Sequence, residues 1–133
     1  MTTYAGFVSA LVGLTVTGVK RKFAAPPTQL NTADLPAMYP RIPQAAESGL
    51  TAEGQGGWPR LTGELVFVIE PIGQSRQPSN FAATVTMIDA INTTLRAATL
   101  TKSKHSWTVR REGVNLGGDT DYWDLVATVI GNG

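Results

Sequence analysis

The chain of 133 residues has no cysteine, a single histidine and only 16% charged residues. Without cysteine there is no disulfide, no thiolate metal site and no cysteine nucleophile, and a reducing compartment is permitted. His105 alone leaves few imidazole metal sites open. A charged fraction of 16% lies well under the value of about 25% usual for globular chains. Such a surface suits contact with other proteins, or else is made polar by Thr, Ser, Asn and Gln. Eleven basic against ten acidic residues leave a net charge of +1, so no bulk field draws the chain to nucleic acid or to an anionic membrane. A long apolar run is missing as well. The stretch from Tyr4 to Val19 is broken by Gly6, Ser9, Gly13, Thr15, Thr17 and Gly18, and is shorter than the roughly 20 residues of a spanning helix. Its basic cluster, Lys20, Arg21 and Lys22, follows the apolar run, whereas a secretory signal carries such residues before it.

What is present is one domain's worth of chain, residues 1–133, with an unusual middle. From Ala24 to Pro59 run 36 residues with six prolines, four glycines and four charged residues, Asp34, Arg41, Glu47 and Glu53. Structureless connections beyond about 12 to 15 residues are uncommon in compact domains and are functional or disordered. Disordered segments are poor in large apolar side chains, yet this one carries Leu35, Met38, Tyr39, Ile42 and Trp58. It is expected to order against a surface, in part that of a neighbouring subunit or partner. Those five residues are the candidate contacts. Trp58, between glycines and a proline, reads as an interface anchor or as a pin holding the loop to its own body.

Around this loop, hydrophobic periodicity assigns the elements. Tyr4, Phe7, Val8, Leu11 and Val12 form one stripe of a helix over Thr3 to Leu14. Alternation predicts a strand over Thr15 to Lys22, with a further short strand near Leu35 to Arg41. Over Arg60 to Glu70, Leu61, Leu65, Phe67 and Ile69 share one face, while the other turns from polar to apolar in Val66 and Val68. That pattern predicts a strand covered partly on both sides. Ser79 is a suitable N-cap for a helix over Asn80 to Ala98, with Phe81, Val85, Ile88, Leu95 and Ala98 as its buried stripe, widened by Ile91. Two strands around Trp107 and Trp123 flank turn chemistry at Gly117 to Thr120 and predict a hairpin. The expected fold is α+β: two helices packed on one face of a mainly antiparallel four- or five-stranded sheet, with a long extended loop at about 24–59.

Chemistry is sparse. His105 is read as an exposed strand-end residue rather than a general base. Asp119, Asp121 and Asp124 lack the spacing and closing glutamate of an EF-hand loop, and read as turn-forming carboxylates. Gly113 to Gly118 has no lysine and opens no helix, so it is no phosphate loop. Asn92-Thr-Thr94 matches a glycosylation acceptor but falls inside the predicted second helix. The basic pairs and triplets, Lys20 to Lys22 and Arg110-Arg111, read as solvated edges that guard strands from unwanted pairing. No catalytic residue, metal ligand or cofactor is assigned.

The Tyr4-Ala-Gly-Phe-Val-Ser-Ala-Leu11 helix, the Val19-Lys-Arg21 strand, the Leu35-Pro-Ala-Met-Tyr-Pro-Arg-Ile-Pro43 stretch and the Asp121-Tyr-Trp-Asp-Leu-Val126 strand together resemble the tail terminator, or tail completion, family of long non-contractile-tailed bacteriophages. The resemblance covers nearly the whole chain in element order and length. It implies a non-enzymatic virion protein without cofactors. Such a protein forms a homo-oligomeric ring, typically a hexamer, at the head-proximal end of the tail tube. The ring stops tube polymerisation and offers a surface to a neck or head completion protein. It implies location in the virion, assembly in the host cytoplasm, no membrane partner and no specific nucleic-acid binding, with DNA free to pass through the lumen. Related neck proteins share this size and composition, so a head-to-tail connector or head completion protein is the alternative. From another class stands a small ligand-binding or enzymatic α+β domain with its pocket under the long loop.

Overall fold

Strand formation in this chain is dictated by a segment with apolar side chains on both of its faces. The computed structural model describes residues 3–28, 30–43, 60–71, 77–100, 104–113 and 122–132. Strands β1 (Arg21–Lys22), β2 (Ala37–Pro40), β3 (Arg60–Pro71), β4 (His105–Arg110) and β5 (Tyr122–Asn132) form one sheet in the order β1-β2-β3-β5-β4. Only β1 and β2 are parallel; the other three pairings are antiparallel. The sheet is thus mixed and mainly antiparallel, and the β4–β5 hairpin forms as its alternation predicts. Its expected loop at Gly117 to Thr120 lies outside the described residues.

Helices α1 (Tyr4–Val12) and α2 (Gln77–Ala97) pack on the face of β3 that carries Leu61, Leu65, Phe67 and Ile69. Phe7 and Leu11 from α1, Met87, Ile91 and Leu95 from α2, and Leu125, Ala127 and Val129 from β5 complete this core. On the opposite face Val66, Val68 and Val126 are buried with Leu35, Ala37 and Tyr39, and Phe23, Leu30 and Tyr122 pack against them. The first half of the proline-rich stretch therefore covers the second face of the sheet. Strand β3 is buried on both sides, as its sequence requires.

Two boundaries differ from expectation for local reasons. The strand predicted over Thr15 to Lys22 shrinks to Arg21–Lys22, because Gly18 adopts a positive φ of 95° within a turn closed by the Val19 N–H on the Val16 carbonyl at 3.2 Å. Helix α2 starts at Gln77, with Pro78 in its first turn, where a missing N–H costs nothing. Ser79 accordingly lies inside the helix rather than capping it. Helix α1 is capped as a short helix should be: the Thr3 hydroxyl accepts from the Gly6 N–H at 3.1 Å, and the chain leaves the helix at Gly13.

Helix α1 approaches the sheet over Gly63. A Cβ at that position would lie 2.5 Å from Leu11 Cδ1 and 3.0 Å from Phe7 Cε2, both fully buried side chains. Gly63→Ala is predicted to destabilise the fold by about 1–3 kcal/mol through overpacking. Urea denaturation checks this, and an unchanged midpoint would show that α1 seats elsewhere.

Candidate interaction surface

Of the groups considered for catalysis, the two among the described residues, His105 and Asp124, are engaged in structure. His105 Nε2 lies 2.6 Å from the Leu95 carbonyl, so its N–H is donated to the last turn of α2. Asp124 is fully buried, accepts from the Glu112 and Gly113 N–H groups at 3.4 and 3.0 Å, and faces Arg111 at 3.7 Å. It fastens the chain beyond β4 to β5. His105 pairs opposite Gly131, whereas Asp124 lies beyond the Arg110–Val126 pair, so the two occupy opposite ends of the hairpin. Asp119 and Asp121 are outside the described residues. Among the described residues no three His, Asp or Glu side chains gather as a metal site, and no helix is long and apolar enough to cross a membrane.

A charge network occupies the open part of the second sheet face. Glu112 bonds Arg41 at 2.7 Å and Arg110 at 3.4 Å; Glu64 faces the same two arginines at 3.8 and 3.3 Å. Thr128 donates to Glu64 at 3.2 Å and accepts from Arg110 at 2.8 Å. Burial opposes the charge on Arg41, but the Glu112 hydrogen bond and the carboxylates of Glu112 and Glu64 outweigh it and hold the guanidinium above its ordinary pKa. Two cations and two anions cancel, and the side chains remain partly exposed, so the network fixes geometry more than it adds stability. It went unread in the sequence, although strand alternation puts Glu64, Arg110 and Thr128 on one face.

Of the predicted contact residues, Leu35, Met38 and Tyr39 are buried within the chain itself. Met38 belongs to the helix-side core and Leu35 and Tyr39 to the other, because β2 is short and buried on both faces. They are not surface anchors of the folded chain. Ile42 is different. The backbone stays tied to β3 at Arg41, whose N–H donates to the Glu64 carbonyl at 3.1 Å, and the next side chain is 89% exposed. Trp58 lies outside the described residues. Ile42 borders an apolar groove of about 190 Å³ between Val8 of α1, the Ala24–Pro26 segment and Pro40 to Pro43.

The second surface was misread in the sequence. The stripe Phe81, Val85 and Ile88 was expected to face the core, yet these side chains are exposed, Phe81 by 59%. Asn80, Thr84 and Met87 are buried instead, so the first half of the helix is turned by about one position from expectation, while Ile91 and Leu95 are buried as expected. Thr84 tolerates this because its hydroxyl donates to the Asn80 carbonyl at 2.7 Å, which removes the cost of burying it unbonded. Met87 meanwhile fills the space above Gly18, where a Cβ would stand 3.4 Å from its terminal methyl. The apolar flank lies towards the β4 side of the helix. Asn92, one turn on, accepts from the Trp107 indole N–H at 3.1 Å, and Phe81 meets Trp123 edge-on with ring centroids 6.2 Å apart. Trp123 is in turn overlaid by the Arg111 guanidinium, and its own buried indole N–H has no acceptor among the described residues. Full burial of such a side chain is worth about 1.5–3 kcal/mol, and these three, part-exposed, forgo a fraction of it. Three in a row on one helix flank mark a surface to be covered.

The chain matches no known family model and no curated protein.

Burial pushes the Tyr39 phenol above its ordinary value; Arg41 pulls the other way, and Asp124 and Glu112 add to the rise. A group that holds its proton more tightly when folded stabilises the fold fully below its unfolded pKa of about 10, and that contribution is lost as pH rises through the folded value. Tyr39→Phe is therefore predicted to lose less stability than the parent between about pH 9 and pH 11, by denaturant titration at each pH. Parallel losses would contradict the buried phenol.

Proposed function

We propose that this chain is a structural virion protein that forms a ring at the head-proximal end of a phage tail tube, ends tube polymerisation and offers a docking surface to the neck or head. The observation that carries the reading is a pair of exposed apolar patches on opposite sides of one small sheet: Ile42 and its groove by β2, and the α2 flank by β4. Different patches on opposite sides of a subunit make a head-to-tail contact, and such contacts generate rings when the rotation closes. The balanced charge suits work through protein surfaces rather than through binding of nucleic acid. Of the polar groups a catalytic reading would need, His105 and the Asp119 to Asp124 group, His105 and Asp124 are spent on the helix end and on the hairpin, and Asp119 and Asp121 lie outside the described residues.

In this reading the partners are copies of the chain, the tail tube protein and a neck or head completion protein, with a hexamer as the expected ring. The resemblance supplies the station in the particle; the surfaces supply the means. Added to polymerising tube protein, the purified chain is predicted to shorten the tubes and leave an extra ring at one end of each, as seen by electron microscopy. A chain that neither caps tube ends nor slows their growth contradicts the proposal, and attachment to the head vertex instead would make it a connector.

A further inference from the structure

We infer that the Phe81, Val85 and Ile88 flank of α2 seats in the groove beside Ile42 of a second copy, so that identical subunits join head to tail. This deepens the oligomeric reading above and rests on it. The two surfaces are unlike and complementary. One is an apolar helix flank led by Phe81, whose ring is more than half exposed beside Trp123; the other is an open, mainly apolar groove between Val8, the Ala24–Pro26 segment, Pro40 and Pro43, with Arg41 also in its lining. The groove holds about 190 Å³, and an apolar cavity of about 150 Å³ already accepts a benzene ring.

Position and charge agree with this pairing. Helix α2 packs over β5 and β3 and touches β4 through Asn92 and Leu95, while the groove lies by β2 and α1, on the β1 side of the sheet. A flank on one side and a groove on the other cannot meet within one subunit. Asp89, the sole acidic residue of α2, adjoins Ile88. Beside the groove, β1 and its approach carry Lys20, Arg21 and Lys22 with the carboxylate of Asp34, and Arg41 in the lining is paired with Glu112 and Glu64, so the cations outnumber the carboxylates by one. The acidic end of the flank therefore faces a net positive rim. Strand addition between subunits at the β1 and β4 edges would leave both apolar surfaces in water. The helix flank remains as the joining surface, and the contact is heterologous.

Two variants with the damage on opposite partners test this by sedimentation velocity: Phe81→Glu on the flank and Ile42→Glu at the groove. Both residues are exposed, so circular dichroism should match the parent; Val85→Glu and Ala25→Glu replace either one that does not fold. The parent should sediment as an oligomer. Each variant alone should be monomeric, with association weakened more than tenfold. Mixed in equal amounts, they should form a dimer and stop there, because the Ile42→Glu flank finds the intact groove of Phe81→Glu and no second intact pair remains. Phe81→Leu should keep the oligomer. Parental mass in either variant, or no dimer in the mixture, overturns the pairing, as does a monomeric parent. The two readings fail separately. If the parent caps tubes while both variants still oligomerise, the contact is wrong and the virion role stands; if the variants behave as expected but the parent leaves tubes untouched, the contact stands and the role falls.

Discussion

Everything in this small fold depends on the burial of β3 from both sides. Its odd-numbered side chains, Leu61, Leu65, Phe67 and Ile69, receive the two helices, and Val66 and Val68 receive the chain that runs from β1 into β2. With both helices on the first face, the second face is closed by Phe23, Leu30, Leu35 and Tyr39. The proline-rich segment is thereby partly a structural cover. Where the cover ends, the open face is handled by the Arg41, Glu64, Arg110 and Glu112 network, which suits a half-wet surface better than further apolar side chains would.

The same economy explains the two apolar patches. Helix α2 buries a stripe containing Asn80 and Thr84, which is affordable because the Thr84 hydroxyl bonds back to the preceding turn. The helix thereby turns Phe81, Val85 and Ile88 away from the core and towards the β4 side. At the other side, β2 ends at Pro40, one further bond ties Arg41 to β3, and Pro43 follows, which leaves Ile42 beside a groove. Phe81 meets Trp123 of its own chain, and what stays exposed at both patches is the ground for the proposed contact with a neighbour.

Strands were legible in the sequence because a period of two admits few registers, and a one-residue slip would expose an entire apolar face. Hence β3, β4 and β5, the two-sided burial of Val66 and Val68, and the two helices on one face follow from alternation and spacing. Helix rotation was not legible. Phe81, Val85 and Ile88 make a more apolar flank than Asn80, Thr84 and Met87, so periodicity favours them for the core; the seat of Met87 above Gly18 and the Thr84 bond to the Asn80 carbonyl, which periodicity does not register, go with the other choice. The loop contacts divided for a related reason. Leu35, Met38 and Tyr39 look like anchors in a coil but belong to a short strand and its approach, while Ile42, two residues past Pro40, does reach the surface.

The virion reading joins a resemblance in element order to a subunit with unlike apolar surfaces on its two sides, and its core is closure into a ring. Native mass spectrometry of the purified parent chain tests that core most directly. The account predicts one closed oligomer whose subunit number stays fixed as concentration rises. A monomer throughout, or an open-ended ladder of masses, would contradict it.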